Sequence, residues 1–188
     1  MRTSRKHASL LTLAILAVSL LPLSRHLSPE LASAAAWYPL QRIAEYSVAP
    51  SRIRIPSIGL NSPVEGLGLN SAGEMAVPSG AGNAVGWYRD GTVPGNIGSA
   101  VFDAHVFAAF SKLAYLKAGS DIYVTEGSKT LHFVVAETKT YALSALSPQT
   151  LFAKKDARRL NLITCAGTYI PALGTYDHRL VVYATLAA

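Results

Sequence analysis

Short apolar or alternating runs, separated by turn residues, fill the chain from residue 52 onward. The Arg-Ile-Arg-Ile run at residues 52–55 alternates polar and apolar positions, which is typical of a half-buried β-strand. Glycine, proline and asparagine interrupt the runs, for example at residues 80–83 and 94–96. The predicted strands cover residues 52–55, 62–65, 73–76, 99–105, 121–125, 130–138, 160–164 and 180–185.

Helical patterns are few and short. Residues 106–115 place Phe107 and Phe110 at helical spacing, which predicts a short amphipathic helix or two turns. Residues 147–155 and residues 37–46 could each hold one further turn. Many short strands with few helices predict an all-β domain, either a sandwich or a closed barrel.

The N-terminus has the order of charged and apolar residues that marks an export signal. Residues 2–7 carry three cations, and the 16 residues 8–23 carry no charge. A comfortable membrane span needs roughly 20 apolar residues. The run is therefore interpreted as a retained anchor, as a signal peptide cleaved near the small-residue tract 32–36, or as a buried core helix. Because that tract lies far from Leu23 for a cleavage site, we favour the anchor.

This interpretation divides the chain into three parts. Residues 1–26 form an N-terminal signal-anchor, residues 27–49 a stalk, and residues 50–188 the body. Positive charge marks the cytoplasmic side of a membrane segment. We therefore expect a single-pass protein of the cell membrane whose body lies outside the cytoplasm.

Composition narrows the class of the body. A chain of 188 residues predicts one domain, and a content of 50% hydrophobic and 15% charged residues excludes intrinsic disorder. A single cysteine excludes an internal disulfide and a cysteine-cluster metal site. The net charge is +6, but four cations lie in the first 26 residues, and without them about +2 remains. So weak a charge predicts no nucleic-acid partner.

The single cysteine, Cys165, is the first candidate for chemistry. It follows the predicted strand 160–164 and precedes Gly167, so that a loop would present it at the end of a rigid strand. A cysteine nucleophile needs a base and a donor for the developing oxyanion. A lone cysteine is, on composition alone, more often a small buried hydrophobic residue.

Three histidines of the body could act as the base. His105 ends the strand predicted at residues 99–105. His132 lies within an alternating strand, which favours a surface position, and His178 is expected in a loop just ahead of the last strand. The spacing of these residues matches no common metal motif, so we expect no metal and no cofactor.

Several segments of the body match the motifs of one known family. Residues 162–165, Leu-Ile-Thr-Cys, are similar to the (L/I)-x-T-C signature that ends the sortase active-site strand. Fourteen residues after Cys165, Arg179 begins a run similar to the closing strand, which starts with an essential arginine. Residues 102–105, Phe-Asp-Ala-His, resemble the strand that ends in histidine. Further similar segments are residues 52–64 (the opening strands), 85–88 (the V-G-W-Y of class E and class F) and 117–124 (K-x-G-D-x-(I/V)-x-V); class D is the alternative subclass.

The resemblance implies a fold and an activity. It implies a closed sortase-type β-barrel of about eight strands with short helices, preceded by the N-terminal membrane helix. Cys165 would be the nucleophile, His105 the general acid/base and Arg179 the oxyanion or substrate-backbone donor, with Thr164 assigned to substrate binding or tuning of the site. The reaction would cleave an LPXTG-like sorting signal and join the acyl-enzyme to an amine on the cell wall or a pilin.

The sequence departs from the family pattern in two places. Ala104 stands where the family usually has glycine, and only four residues separate His105 from Phe110, where related enzymes have a longer loop. The second difference bears on substrate selectivity more than on the chemistry.

Two other classes of function are compatible with the residues alone. One is another exported cysteine peptidase or an L,D-transpeptidase, although the latter places its cysteine in an S-x-G-C-(I/V)-R context that Cys165 lacks. The other is a non-catalytic β-domain that binds peptide or glycan and needs no nucleophile.

Overall fold

The computed structural model describes residues 48–80, 82–152 and 156–188. Eight strands and one short α-helix are found within these ranges. They are β1 (Pro50–Ile55), β2 (Leu60–Leu67), β3 (Val85–Tyr88), β4 (Gly98–Asp103), β5 (Asp121–Glu126), β6 (Lys129–Ala142), α1 (Pro148–Phe152), β7 (Arg158–Ile170) and β8 (Thr175–Leu186). Single 3-10 turns lie at Pro56–Ile58, Leu113–Tyr115, Leu143–Ala145 and Pro171–Leu173.

The strands close into a barrel in the spatial order β1–β2–β3–β4–β7–β8–β6–β5. The β2–β3 and β4–β7 pairs are parallel, and the other neighbours are antiparallel. Closure pairs every strand on both sides and leaves no open edge. The predicted all-β class and closed barrel of about eight strands are confirmed.

Alternation along the strands divides the barrel into an inner and an outer face. Phe102, Leu162 and Val182 belong to the inner core. The residues next to them, including Ile163 and Val181, join a second, outer cluster with Leu151 of α1. The wall formed by β4, β7 and β8 is thus apolar on both faces near its middle.

Helix α1 is tied to this wall by a buried hydrogen bond, in which Asn161 Nδ2 of β7 donates to Leu151 O over 2.7 Å. The turn predicted within residues 147–155 is therefore present. Residues 106–115 form successive turns ending in a 3-10 turn rather than a regular helix. Phe110 is buried, as its spacing predicts, whereas Phe107 is 63% exposed because the turns direct it to the ring of His105. The turn predicted at residues 37–46 lies outside the described residues.

Two strand predictions were wrong. Residues 73–76 form no strand and have only a single bridge, Leu69–Met75, because Gly73 ends a tight turn that begins at Asn70 and adopts a positive φ of 78° there. The strand that occupies this place in the barrel is instead β3, whose first three residues are all buried and therefore show no alternation. Strand β7 also continues past Cys165 to Ile170, where a loop was expected.

The predicted signal-anchor at residues 1–26 and most of the stalk at residues 27–49 lie outside the described residues. Among the residues that the structure does describe, no helix is long and apolar enough to cross a membrane. The three-part division of the chain stays a prediction.

Candidate active site

Two parallel strand ends bring His105 and Cys165 to the same level of the barrel. Strand β4 pairs with β7 in a register that sets Asp103 opposite Ile163. The pairing extends beyond the ladder, because Ala104 N donates to Ile163 O over 3.4 Å and Thr164 Oγ1 donates to Ala104 O over 2.7 Å. The backbone of His105 therefore leaves β4 beside that of Cys165.

Cys165 and Arg179 form a direct cross-strand pair between β7 and β8. Their neighbours Thr164 and Leu180 are buried, whereas Cys165 and Arg179 are both partly exposed. Directly opposite residues of an antiparallel pair point to the same face, with Cβ atoms about 4.5–5.5 Å apart. The thiol and the guanidinium stem thus share the outer face of the barrel.

The guanidinium of Arg179 is held by the start of its own strand. Nη1 donates to Tyr176 O and to His178 O, each over 2.9 Å, and Nη2 donates to Thr175 Oγ1 over 2.9 Å. A guanidinium has five N–H groups, so the Nε–H and one Nη2–H have no partner among the described residues. A fixed fork with free N–H groups suits the binding of a carbonyl oxygen or oxyanion.

The ring of His105 makes two contacts, one at its Nε2 edge and one on its face. Nε2 lies 3.1 Å from Pro78 O, and the ring stacks on Phe107 with centroids 4.8 Å apart. A carbonyl oxygen only accepts hydrogen bonds, so this contact places a proton on Nε2. In the neutral ring the basic nitrogen is then Nδ1, which has no hydrogen-bond partner in the part of the chain that the structure describes.

The other two histidines lie elsewhere. His132 lies on the opposite wall of the barrel, where its Nε2 is 2.7 Å from Asp121 Oδ1. Its side chain is partly exposed, in agreement with the predicted surface position. His178 is part of β8 rather than a loop, because the ladder with β7 begins at Thr175, well before it. It pairs with Ala166, one residue beyond the Cys165–Arg179 pair, and so points to the opposite face from Arg179.

The family model of the sortase domain matches residues 53–187. The chain belongs to the sortase family. No curated protein matches it in sequence.

Solved sortase structures share this fold. Sortase A from Corynebacterium diphtheriae is 21% identical, with a TM-score of 0.57 over 88% of this chain and 71% of that one. A Clostridium perfringens sortase D5 transpeptidase is 18% identical, with a TM-score of 0.57 over 87% and 91%. The Group B Streptococcus pilus island 1 sortase C2 is 24% identical, with a TM-score of 0.54 over 73% of each chain. The likeness spans three sortase classes and selects no subclass.

Thr164 of this sortase is buried, and its hydroxyl is committed to Ala104 O. The bond joins the residue before Cys165 to the residue before His105, so it ties the two strand ends together. Tuning of the site by Thr164 and substrate binding by Thr164 both stay predictions.

A bulge in β7 just after Cys165 was not foreseen from the sequence. Gly167 adopts a φ of 81°, and a Cβ there would collide with Asp177 Oδ1. Asp177 Oδ1 accepts hydrogen bonds from His178 Nδ1 and Thr168 N, each over 2.7 Å. These two bonds, that of His178 first, lower the pKa of Asp177. The carboxylate thus pins the turn of chain between the nucleophile candidate and Arg179.

Asp103, two residues before His105, is a second feature that the sequence pattern did not single out. It is 6% exposed, and its Oδ1 has no hydrogen-bond partner among the described residues. Burial raises the pKa of Asp103 to about 8, although a bond from its own backbone N–H opposes the rise. A buried, neutral carboxyl group therefore lies in the wall of the site at neutral pH.

Proposed function

We propose that this sortase is a cysteine transpeptidase in which Cys165 is the nucleophile, His105 the general acid/base and Arg179 the oxyanion donor. The observation that carries the proposal is the shared register of the three residues. Cys165 lies directly opposite Arg179, and His105 leaves the neighbouring strand at the same level. Family membership favours this function over an L,D-transpeptidase.

In the first half-reaction the Cys165 thiolate attacks a peptide carbonyl carbon and a C–S bond forms. The electron pair of the carbonyl moves to oxygen, and the free N–H groups of Arg179 bind this oxyanion. When the tetrahedral intermediate collapses, the C–N bond breaks and protonated His105 gives its Nδ1 proton to the leaving amine. The product is a thioester on Cys165.

In the second half-reaction an acceptor amine attacks the thioester carbonyl. His105, now neutral, takes a proton from the attacking nitrogen through Nδ1, and the C–S bond breaks to return the thiolate. A new peptide bond replaces the thioester, so the net change is an exchange of amines. A thiolate serves both steps because it is a good nucleophile and a good leaving group. Water in place of the amine would give slow hydrolysis.

The donor substrate of this reaction is an LPXTG-like sorting signal cleaved between threonine and glycine, and the acceptor is an amine on the cell wall or a pilin. Support for this assignment comes from the sortase family and from neighbours described as pilus sortases. The enzyme acts at the outer face of the cell membrane, held by the segment at residues 1–26. There it meets both an exported protein and a wall amine.

A peptide library tests the proposal. The full chain, solubilised in detergent, is incubated with LPXTG-like peptides and an excess of a small amine, and the products are read by mass spectrometry. We expect a thioacyl adduct on Cys165 and an amine-linked peptide. Intact binding of peptide after irreversible alkylation of Cys165, without any adduct in the unmodified protein, would instead identify a non-catalytic binding domain.

A further inference from the structure

The buried carboxyl of Asp103 lies beneath the segment that holds His105. A Cβ built on Gly86 of β3 would collide with Asp103 Oδ1 and would lie 3.1 Å from both Pro78 Cδ and Leu67 Cδ1. The carboxyl, the proline ring and the leucine side chain therefore meet over the bare α-carbon of Gly86. Any larger residue at position 86 would force them apart.

Pro78 connects this contact to the histidine. Its ring is buried over Gly86, and its carbonyl oxygen lies 3.1 Å from His105 Nε2. The carbonyl comes from 27 residues earlier in the chain and is not part of a strand. The position of the accepting oxygen therefore depends on what supports the ring of Pro78.

Among the described residues, no cation forms an ion pair with Asp103. The cations of the neighbouring strand β7, Arg158 and Arg159, pair with Gly98 and Ser99 at the other end of β4. The remaining titratable residues on the adjacent strands are Glu65 of β2, which is opposite Gly86 and exposed, Tyr88 of β3, and Cys165 and Tyr169 of β7, with His105 beyond the end of β4. Desolvation is the main cause of its raised pKa. An ionised Asp103 would need water, and Pro78 is part of the cover that water would have to displace.

We propose that Asp103 is a positioning residue of this sortase, whose neutral carboxyl supports Pro78 and thereby keeps the Pro78 carbonyl on His105 Nε2. The inference rests on the proposed role of His105. Ionisation of Asp103 above pH about 8 should loosen the Pro78 segment, release Nε2 and reduce turnover, with little effect on peptide binding.

Two variants of Asp103 separate its steric support of Pro78 from the effect of its charge. Asp103→Asn keeps the shape and is neutral at every pH, whereas Asp103→Ala leaves a void beneath Pro78. Glu126→Gln is the matched control, since Glu126 is the other buried carboxyl with partnerless oxygens and a raised pKa, at the far end of β5. Each variant is measured for kcat and KM from pH 6 to 9 and for the tautomer of the His105 ring by long-range ¹H–¹⁵N NMR.

We expect Asp103→Ala to lower kcat by between about tenfold and 100-fold with KM nearly unchanged, and to lose the pure Nε2–H tautomer. Asp103→Asn should restore both at pH 7 and should lose a smaller fraction of its activity between pH 7 and pH 9 than the unmodified enzyme does. Glu126→Gln should match the unmodified enzyme in tautomer and profile. The proposal is overturned if the Asn variant shows the same alkaline decline and the same His105 titration as the unmodified enzyme, or if the Ala variant keeps both kcat and tautomer.

The NMR measurement does not depend on turnover. If no peptide is processed at all, the proposed function fails, and the tautomer of His105 in the two Asp103 variants still decides whether this carboxyl positions the ring. If turnover is seen but the ring is insensitive to Asp103, the function stands and the positioning role falls.

Discussion

Two histidines, His105 and His132, stack on aromatic rings with nearly the same geometry on opposite walls of the barrel. The centroids are 4.8 Å apart in both cases, with interplanar angles of 12° and 13°. The partners of Nε2 differ. His132 meets the carboxylate of Asp121 within its own hairpin, whereas His105 meets the main-chain carbonyl of Pro78 from a distant loop.

His132 is part of a series of side-chain contacts that runs from Arg54 to Asp121. Arg54 lies 4.3 Å above the ring of Tyr123, Tyr123 stacks on His132, and His132 pairs with Asp121. These groups contact one another along β1, β5 and β6. On the other wall, two N–H groups of Arg179 and Nδ1 of His105 have no hydrogen-bond partner among the described residues. The decisive difference is that these groups lie beside Cys165, the single cysteine of the chain, whereas the ring of His132 has no thiol near it.

The sharpest test of this difference removes the thiol. Cys165→Ala should abolish peptide cleavage and amine transfer while the barrel stays folded, because the chain has no second cysteine. Mass spectrometry of products and a thermal melt check the two parts. Turnover above the uncatalysed rate in a folded Ala variant contradicts the assignment of the nucleophile.

The two histidines can be compared directly by the same substitution. His105→Gln should lower kcat/KM by about 10²–10⁴-fold, the usual contribution of a general acid/base, and should flatten one limb of the pH profile. His132→Gln, matched in ring stacking, should leave the profile nearly unchanged, as should His178→Gln. An inactive His178→Gln enzyme beside an active His105→Gln enzyme would move the base to β8 and overturn the proposed mechanism.

Arg179→Lys tests whether the geometry or the charge of the side chain matters at position 179 of β8. A lysine keeps the positive charge but cannot hold Tyr176 O, His178 O and Thr175 Oγ1 while it also binds an oxyanion. We expect a loss on the order of 10²–10³ in kcat, the size of one oxyanion donor. Retention of more than about half of the activity would reduce Arg179 to an electrostatic role.

Thr164→Val removes the bond between the two strand ends with little change of volume. Ala104 O would be left buried without this donor, which costs about 1–3 kcal/mol in the free energy of unfolding. Because the bond links the residues before Cys165 and His105, kcat should fall as well, by about tenfold. Denaturant unfolding and steady-state kinetics measure the two effects. A variant that loses stability but keeps kcat would show that the bond serves the fold alone.

The smallest effect is expected far from the site, at Glu126. Burial raises its pKa to about 7, and the nearby Lys129 opposes the rise. The unfolded carboxyl ionises near its ordinary pKa of 4.5 and the folded one only near 7, so this group destabilises the barrel progressively as pH rises between these values. Glu126→Gln should therefore raise the free energy of unfolding at pH 8 by about 1–2 kcal/mol. This is less than the free energy that corresponds to the whole pKa shift, because solvent screens the charge of Glu126 at the end of the barrel. Equal stability of both proteins at pH 8 would contradict the destabilisation of the folded state by the ionised Glu126.

Much of the fold could be predicted from the sequence because barrel strands carry a local signal. Residues 52–55 alternate as a half-buried strand should, and β1 spans them. The exceptions have physical causes. Strand β3 is buried at three successive positions and shows no alternation, while residues 73–76 have strand-like composition but contain a glycine with positive φ.

The candidate site residues could be predicted from the sequence where their residue type and their order along the chain identify them. Cys165 is the only thiol, and the motif around it names a family in which His105 and Arg179 have counterparts. The order along the chain did not reveal Asp177 as the carboxylate that pins the β7 bulge. It accepts from Thr168, nine residues away, across a hairpin whose register no local pattern shows.

By itself, the sequence determined the all-β class and the identity of the nucleophile candidate, since each depends on residues that are close together or unique in the chain; the export-type N-terminus stays a prediction. Only the tertiary structure decided which nitrogen of His105 is free, which N–H groups of Arg179 remain available and where the carboxyl of Asp103 is buried. These properties arise from contacts such as Pro78 with His105 and Thr164 with Ala104, which are 27 and 60 residues apart. Only closure of the barrel brings such distant groups within hydrogen-bond distance, and it also removes the water that would otherwise solvate Asp103.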